Sequence, residues 1–290
     1  MVVWAGAFAA IKALLDHGTS AEDVAILRYL VAAPGFAVLL WRARGLRGLG
    51  RADAVRVVAA GALVVAGYHL SLNVEERYTT AGTAALVVAL APSLTLGLAL
   101  VLGVERLTGR RAAGLAIGFA GVALVVLLGS GEEVSLAGAR GPLTVLGAPL
   151  AFALYNVLLR PLLGRYGVLE LTAATSLVGM VALLPLVSGS TVGALGSMAT
   201  GDLGLVLYLG VVCTFLGYVG WNIGLRALGA TRAVTYAYGI PPLAVLVGAI
   251  ALDERVNAWL VGGGALVVAG VALAQRAPVR ARERGRLART

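Results

Sequence analysis

The sequence predicts an all-α integral membrane protein, in which ten transmembrane helices form two five-helix repeats of inverted topology around a central cavity. Three observations support this fold. Hydrophobic residues make up 60% of the 290 positions and charged residues only 13%, whereas soluble domains carry about 25% charged residues. Apolar runs of about 20 residues, the length of a membrane-spanning helix, recur along the chain. Residues of the first half also recur in the second half at a constant spacing.

Polar residues divide the chain into ten apolar stretches. Lipid offers no hydrogen-bonding partner to the backbone, so a spanning segment is either a helix or part of a closed barrel. Barrel strands alternate apolar and polar residues, whereas a stretch such as 120–128 is apolar throughout, which indicates helices. The expected spans are 2–16, 23–41, 54–74, 79–103, 111–129, 142–161, 167–188, 202–225, 230–252 and 257–275.

The first span starts without a basic region before it and without a cleavage site after it. We therefore expect a membrane helix rather than a cleaved signal. The abrupt start leaves open whether further residues precede it.

Arginines are concentrated in alternate loops. The loops after spans 2, 4, 6 and 8 and the C-terminal tail contain most of them, including Arg42, Arg106, Arg160, Arg226 and Arg280. The positive-inside rule makes this side cytoplasmic. We therefore expect a multi-pass protein of the inner (cytoplasmic) membrane with both termini in the cytoplasm. The net charge of +9 is then a topology signal, and no nucleic-acid partner is expected.

A shift of 149 positions aligns the second half of the chain with the first. The aligned pairs include Asn73 with Asn222, Pro92 with Pro241, Glu105-Arg106 with Glu254-Arg255, and Gly114 with Gly263. Because each unit has an odd number of spans, the second enters the membrane from the opposite face, as is typical of transporters with a site near the midplane. We expect a first repeat over 1–130, a second over 140–276 and a basic cytoplasmic tail over 277–290.

These residues carry a family likeness over nearly the whole chain. Its carriers are Trp4, Gly6, Arg28, and twice a proline, a Glu-Arg loop and a glycine-rich span: Pro92, Glu105-Arg106, Gly114 and Gly121, then Pro241, Glu254-Arg255, Gly263 and Gly270. The chain resembles the EamA-type members of the drug/metabolite transporter superfamily. The resemblance implies ten helices around a central cavity and export of amino acids or related metabolites.

One departure from the superfamily concerns the first helix. Small relatives use a glutamate there to exchange protons for a cationic substrate, whereas this sequence has Lys12. No acid is placed clearly within any span. This argues against proton antiport through a carboxylate and against a cationic drug as substrate.

Polar and aromatic side chains within the spans are candidate cavity residues, because such groups are costly in lipid unless they face a cavity or a partner. The candidates are Trp4, Lys12, His69, Asn73, Tyr155, Asn156, Tyr218, Asn222 and Tyr236. Structural alternatives remain open: Lys12 can pair with Asp16, and His69 can be a packed core residue. The tyrosines and tryptophans can belong to interfacial belts. An apolar cavity with hydroxyls and amides suits an uncharged or zwitterionic metabolite.

Three further features have both a functional and a structural interpretation. Pro92 and Pro241 are expected to kink their helices and to act as hinges. Arg28 is expected to bind Asp23 or the Val24 carbonyl near the membrane surface. The glycine faces of the fifth and tenth spans are expected to pack helices closely, with a contact between two copies of the chain as the alternative.

The function expected from these features is a secondary transporter or facilitator for small molecules in the lipid bilayer, and a homodimer is left open. A non-transporting scaffold and a membrane enzyme acting on lipid-linked substrates are the alternatives. An enzyme needs clustered acids, histidines or metal ligands, and His17 and His69 stand apart from any such cluster. No catalytic residue, metal site or cofactor is expected, and no nucleotide-binding loop is present.

Overall fold

A computed structural model describes residues 1–43, 46–103, 105–129, 140–228 and 236–275, and within them every regular element is a helix. In chain order these are α1 (Val2–Asp16), α2 (Ala21–Arg42), α3 (Arg51–Gly61, Ala62–His69 and Leu70–Glu76), α4 (Ala81–Val88), α5 (Ala91–Val101), α6 (Gly109–Leu124, continued by Val125–Gly129), α7 (Arg140–Leu159), α8 (Val168–Leu183, then a 3-10 turn at Leu184–Leu186), α9 (Gly189–Ser197), α10 (Thr200–Leu207, Tyr208–Leu216 and Gly217–Leu228), α11 (Ile240–Ala251) and α12 (Ala258–Gln275).

The helices form a membrane-embedded bundle. Seven segments of the described chain are long and apolar enough to cross a membrane, and Leu146–Leu159 and Ile240–Ala251 are shorter apolar helices. Large hydrophobic side chains such as Val101, Val181 and Ile250 lie exposed on the outside, as expected where the solvent is lipid. The predicted all-helical membrane fold is confirmed. The count of ten spans and the arrangement in two repeats stay predictions.

Helix α1 lies at the centre of the largest hydrophobic cluster. Ile11 and Leu14 are fully buried there together with Leu209 and Cys213 of α10 and Ala244 of α11. Alanines at most of the remaining contact positions allow the helices to approach closely. The first helix is therefore held mainly by helices from the second half of the chain.

Helices α6 and α12 pack glycine against glycine. A Cβ atom on Gly114 would lie 2.5 Å from the Ala274 backbone nitrogen, and one on Gly121 would lie 2.7 Å from the Gly263 carbonyl oxygen. Close backbone contact of this kind requires glycine on the facing surfaces. The packing interpretation of these glycines therefore holds within one chain.

Two prolines begin helices rather than bend them. Pro92 lies in the first turn of α5, directly after the break at Ala89 and Leu90, and Pro241 lies in the first turn of α11. Proline is tolerated at these positions because the first turn of a helix needs no backbone donor there. The helical hydrogen bonding is thus interrupted just before each proline.

Besides the end of α6 at Val125–Gly129, two of the long helices contain wide, π-helical turns. These turns span Ala62–His69 in α3 and Tyr208–Leu216 in α10. A shift by 149 positions carries the first stretch onto 211–218, so the two overlap in the repeat register. Such turns are rare and are concentrated at functional sites, and both stretches contribute to the buried centre described below.

Candidate functional site: a cavity and two buried polar centres

A cavity of about 650 Å³ lies beside the first turn of α1. Its lining residues are Met1, Val3, Trp4, Val212, Leu216, Gly217, Gly220, Trp221, Gly224 and Tyr236. Its volume lies in the range of about 300–1,000 Å³ that is usual for small-molecule sites. Two of the predicted cavity residues, Trp4 and Tyr236, come together here with Trp221, which was not among the predicted residues. Tyr236 is 60% exposed and lies at the rim.

Trp4 forms a fixed aromatic wall of this cavity. Its indole Nε1 donates a hydrogen bond of 2.8 Å to the Cys213 carbonyl. Its ring packs edge-on against Tyr218 and at a tilt against Trp221, with centroid distances of 6.0 Å and 5.6 Å. A Cβ atom on Gly217 would lie 2.8 Å from Nε1, so this glycine makes room for the indole. The indole N–H of this half-buried tryptophan is therefore satisfied.

A buried centre around Arg28 adjoins this wall along α10. Arg28 is only 5% exposed. Its Nε donates to the Thr214 hydroxyl over 2.5 Å, and its Nη1 lies 3.4 Å from His69 Nδ1. Thr214 directly follows Cys213, which holds Trp4. The expectation that Arg28 binds Asp23 or Val24 near the surface is wrong, because the side chain points into the bundle towards α3 and α10.

His69 is enclosed by aromatic rings. Its ring lies 5.1 Å from that of Tyr29 and 4.7 Å from that of Tyr68. A guanidinium only donates hydrogen bonds, so Nδ1 of a neutral His69 accepts and Nε2 carries the proton. That Nε2 has no partner among the described residues. His69 therefore belongs to the Arg28 centre and does not line the cavity.

A second buried polar centre lies at the end of α3. Asn73 donates from Nδ2 to the Ala21 carbonyl over 2.8 Å, and its Oδ1 is unpartnered in the described chain. Glu75 and Glu76 are 1% and 0% exposed, and no hydrogen bond reaches any of their four carboxyl oxygens from the residues that the structure covers. Both acids stand at the end of α3 and not in the middle of a span, but their burial was not expected from the sequence.

Hydropathy alone ends the third span at residue 74, because two successive acids look like a surface cap. The structure continues α3 to Glu76 and buries both carboxyls. Helical spacing indicates that one of these acids faces inward. His69, Asn73 and Glu76 stand at positions i, i+4 and i+7 and therefore lie on one face of the helix.

The two Glu-Arg loops of the sequence repeat have different contacts. Glu254 accepts hydrogen bonds from the backbone N–H groups of Ala81 (2.6 Å) and Gly82 (3.2 Å) at the start of α4. A carboxylate is favoured there because the helix N-terminus carries a partial positive charge. Glu105 instead pairs with Arg111 at 3.1 Å and Arg160 at 3.8 Å.

The remaining candidates satisfy their polar atoms locally. Lys12 pairs with Asp16 at 3.2 Å, which is the structural alternative considered for it. Asn156 donates to the Phe152 carbonyl one turn earlier, over 2.9 Å. Asn222 donates to the Tyr218 carbonyl over 2.8 Å, and its amide nitrogen lies 3.4 Å from the Thr172 hydroxyl.

Tyr155 stacks on Phe152 with a centroid distance of 5.7 Å. Neither Tyr155, Asn156 nor Asn222 lines the cavity. No group of three His, Cys, Asp or Glu side chains in the described ranges is arranged to hold a metal.

A polar cluster ties α3 to the loop before α8. Asp53 lies 2.7 Å from Arg165 and 3.0 Å from Arg56, and the Tyr166 hydroxyl donates to it over 3.0 Å. Desolvation and the hydrogen bond to the Asp53 carboxylate raise the pKa of the Tyr166 phenol. This cluster fixes the two halves of the chain against each other away from the cavity.

Comparison with known proteins shows similarity along the whole chain. The model of the EamA-like transporter family matches residues 1–127 and 139–275. An uncharacterized transporter of Archaeoglobus fulgidus is 32% identical over 276 residues, which cover 94% of this chain and 95% of the relative. A probable terminal-alkyne amino-acid exporter of Streptantibioticus cattleyicolor is 31% identical over 279 residues, which cover 95% of this chain and 91% of the relative.

A protein of known crystal structure shares the fold. It superposes with a TM-score of 0.58 at 23% identity and covers 94% of this chain and 96% of its own. At this identity the likeness concerns the fold alone.

Proposed function

Because the chain belongs to the EamA-like transporter family, we propose that it exports small amino-acid-like metabolites across the cytoplasmic membrane by alternating access, as a secondary transporter or facilitator. The cavity beside Trp4 is the observation that carries this proposal, since it is of small-molecule size and is walled by α1, α10 and Tyr236. The similarity to a probable amino-acid exporter supports the substrate class.

The chemistry of the cavity favours a substrate with an apolar side chain. Trp4, Trp221 and the glycines of α10 offer flat apolar surfaces, and aromatic rings bind such groups over a large area. Arg28 is held by Thr214, the residue after the one that holds Trp4. This buried guanidinium, which reaches α10 from α2, is in this proposal the counter-charge for a substrate carboxylate.

The proposed orientation suits loading from inside the cell. The arginine-rich loops favour a cytoplasmic position for both termini, and the cavity extends to Met1 at the start of α1. Residues 1–130 and 140–276 then form two inverted five-helix repeats, and the basic tail at 277–290, which lies outside the described residues, anchors the cytoplasmic side. Rocking of the repeats would open the cavity to the other face.

Transport by purified protein in liposomes tests the proposal. The vesicles are loaded with a mixed pool of amino acids, and the compounds that leave are identified. We expect selective efflux from the wild type, and about tenfold weaker apparent affinity in Trp4→Ala and Trp221→Ala, a loss equivalent to ~1.4 kcal/mol.

Trp41→Ala serves as the matched control, since Trp41 is 77% exposed at the end of α2. Its transport should equal that of the wild type. Absence of any amino-acid efflux, or equal losses in all three variants, would contradict the proposal.

A further inference from the structure

We propose that Glu75 and Glu76 form a proton-binding site that couples transport to a proton gradient, an inference that rests on the proposed function. Both side chains are at most 1% exposed, and all four of their carboxyl oxygens are without a hydrogen-bond partner in the described part of the chain. The Oδ1 atom of Asn73, in the same helical turn, is also buried and without a partner among the described residues. These buried acceptors meet no hydrogen-bond donor among the described residues, and bound protons would supply the missing hydrogen atoms.

Burial decides the charge of these carboxyls. An ionised carboxylate loses its hydration when it is buried, and only a close cation or several hydrogen bonds offset that loss. Within the described ranges, neither carboxyl accepts such hydrogen bonds. The neutral acid therefore costs least to bury, and a proton from water binds to a carboxylate oxygen as the site closes.

The charges around Glu76 do not replace a proton. Charged groups that act on Glu76 include Glu75, Glu254, Lys12 and Arg28, and Tyr68 is a titratable neighbour of both acids. Lys12 is already paired with Asp16, and Arg28 is directed at Thr214 and His69. Helix α4 and the part of α7 at Leu146–Leu159 contribute no charged side chain.

Glu254 links the protonation of Glu76 to conformation. Its carboxylate holds the first backbone N–H groups of α4, and α4 starts only a short turn after Glu76. An ionised Glu76 would repel Glu254 and weaken this contact. Protonation therefore favours the arrangement with Glu254 seated on α4, and loss of the proton favours its release. In the proposed orientation this end faces outward, so proton uptake accompanies closure of the outer end.

Infrared difference spectroscopy tests the protonation directly and does not require transport. Spectra of the purified wild type at neutral and alkaline pH should show the band of a protonated carboxylic acid, and E75Q and E76Q should each reduce it. E22Q is the matched control, because Glu22 lies near Arg77 with 44% of its side chain exposed, and its band should be unchanged. A wild-type band that survives in the E75Q/E76Q double variant overturns the proposal.

Transport in liposomes tests the coupling. For one proton exchanged per substrate, a difference of one pH unit should support up to about a tenfold concentration ratio. E76Q should lose this gradient-driven ratio and substrate-linked proton movement while it still exchanges labelled for unlabelled substrate. Wild-type transport that ignores pH, or that follows sodium instead, overturns the coupling and leaves the proposed function intact. A protein without exchange of any amino acid removes the proposed function, and the infrared result then decides the proton site alone.

Discussion

Arg28 and Thr214 are hydrogen-bonded over 2.5 Å although 186 positions separate them in the chain. The bond joins α2 to the π-helical part of α10. His69, the other neighbour of the guanidinium, ends the π-helical part of α3. The Arg28 guanidinium thus lies between the two π-helical stretches that overlap when the sequence is shifted by 149 positions. Its removal should therefore affect both halves of the chain.

Thr214→Val tests this bond. Valine keeps the shape of threonine but removes the hydroxyl, so the buried Arg28 donor is left unpaired, at a cost of about 1–3 kcal/mol. We expect a lower midpoint of thermal unfolding in detergent. In Thr95→Val the lost bond is only the one to the Ala91 carbonyl of its own helix, and this control should change the midpoint much less. Equal midpoints for the two variants would show that Thr214 does not hold Arg28.

Gly217→Ala should impair transport without unfolding the protein. The added Cβ would lie 2.8 Å from the Trp4 indole nitrogen, so the ring must shift and weaken its bond to Cys213. We expect apparent substrate affinity to fall by about tenfold in the liposome assay. Gly220 lines the same cavity, but a Cβ atom added there would have no neighbour within 4 Å. The Gly220→Ala variant should therefore transport normally. A normal Gly217→Ala would mean that the position of Trp4 is unimportant.

Gly121→Ala should destabilise the bundle. Its Cβ would approach the Gly263 carbonyl oxygen and the Val267 nitrogen at 2.7 Å each, and neither backbone atom can move aside without a shift of α12. Overpacking of this kind costs roughly 1–3 kcal/mol, which thermal unfolding measures. Gly97→Ala has no neighbour within 4 Å and should be neutral or slightly stabilising.

Glu254→Gln should weaken the start of α4. The amide retains one acceptor oxygen but loses the charge that favours the helix N-terminus, an effect of about 0.3–1 kcal/mol and up to ~2 kcal/mol in partly buried sites. Hydrogen exchange of the Ala81 and Gly82 amides should accelerate. Glu105→Gln is the control from the other Glu-Arg loop and should leave these two amides unchanged.

Much of the fold could be predicted from the sequence because lipid imposes a simple rule. Long apolar runs that cross lipid have to be helices. Both these runs and the regularly spaced glycines can be recognised directly in the sequence. The contacts of Arg28 could not be predicted in this way. Its partners lie in α3 and α10, and no local spacing indicates which helices meet around it.

The candidate site was predicted only in part for the same reason. Trp4 and Tyr236 line the cavity, whereas Asn156 and Asn222 bond to carbonyls within their own helices. An amide in lipid needs a partner, but the sequence does not say whether the partner is a substrate or the preceding turn. The burial of Glu76 was not predicted, because the end of the span was set by hydropathy alone. Helical spacing, which puts Glu76 on the same face as His69 and Asn73, was not considered there.

The wide turns of α3 and α10 also affect how this protein tolerates changes in length. Elsewhere in a membrane span, loss of one residue rotates everything beyond it by about 100° and turns buried faces towards lipid. Within Tyr208–Leu216 a lost residue instead allows the wide turns to tighten into ordinary α-helical ones, and both flanks keep their orientation. Each of these two spans therefore contains one residue more than a regular α-helix of the same length. Homologues with one residue fewer within Tyr208–Leu216 would still present Trp221 to the same cavity.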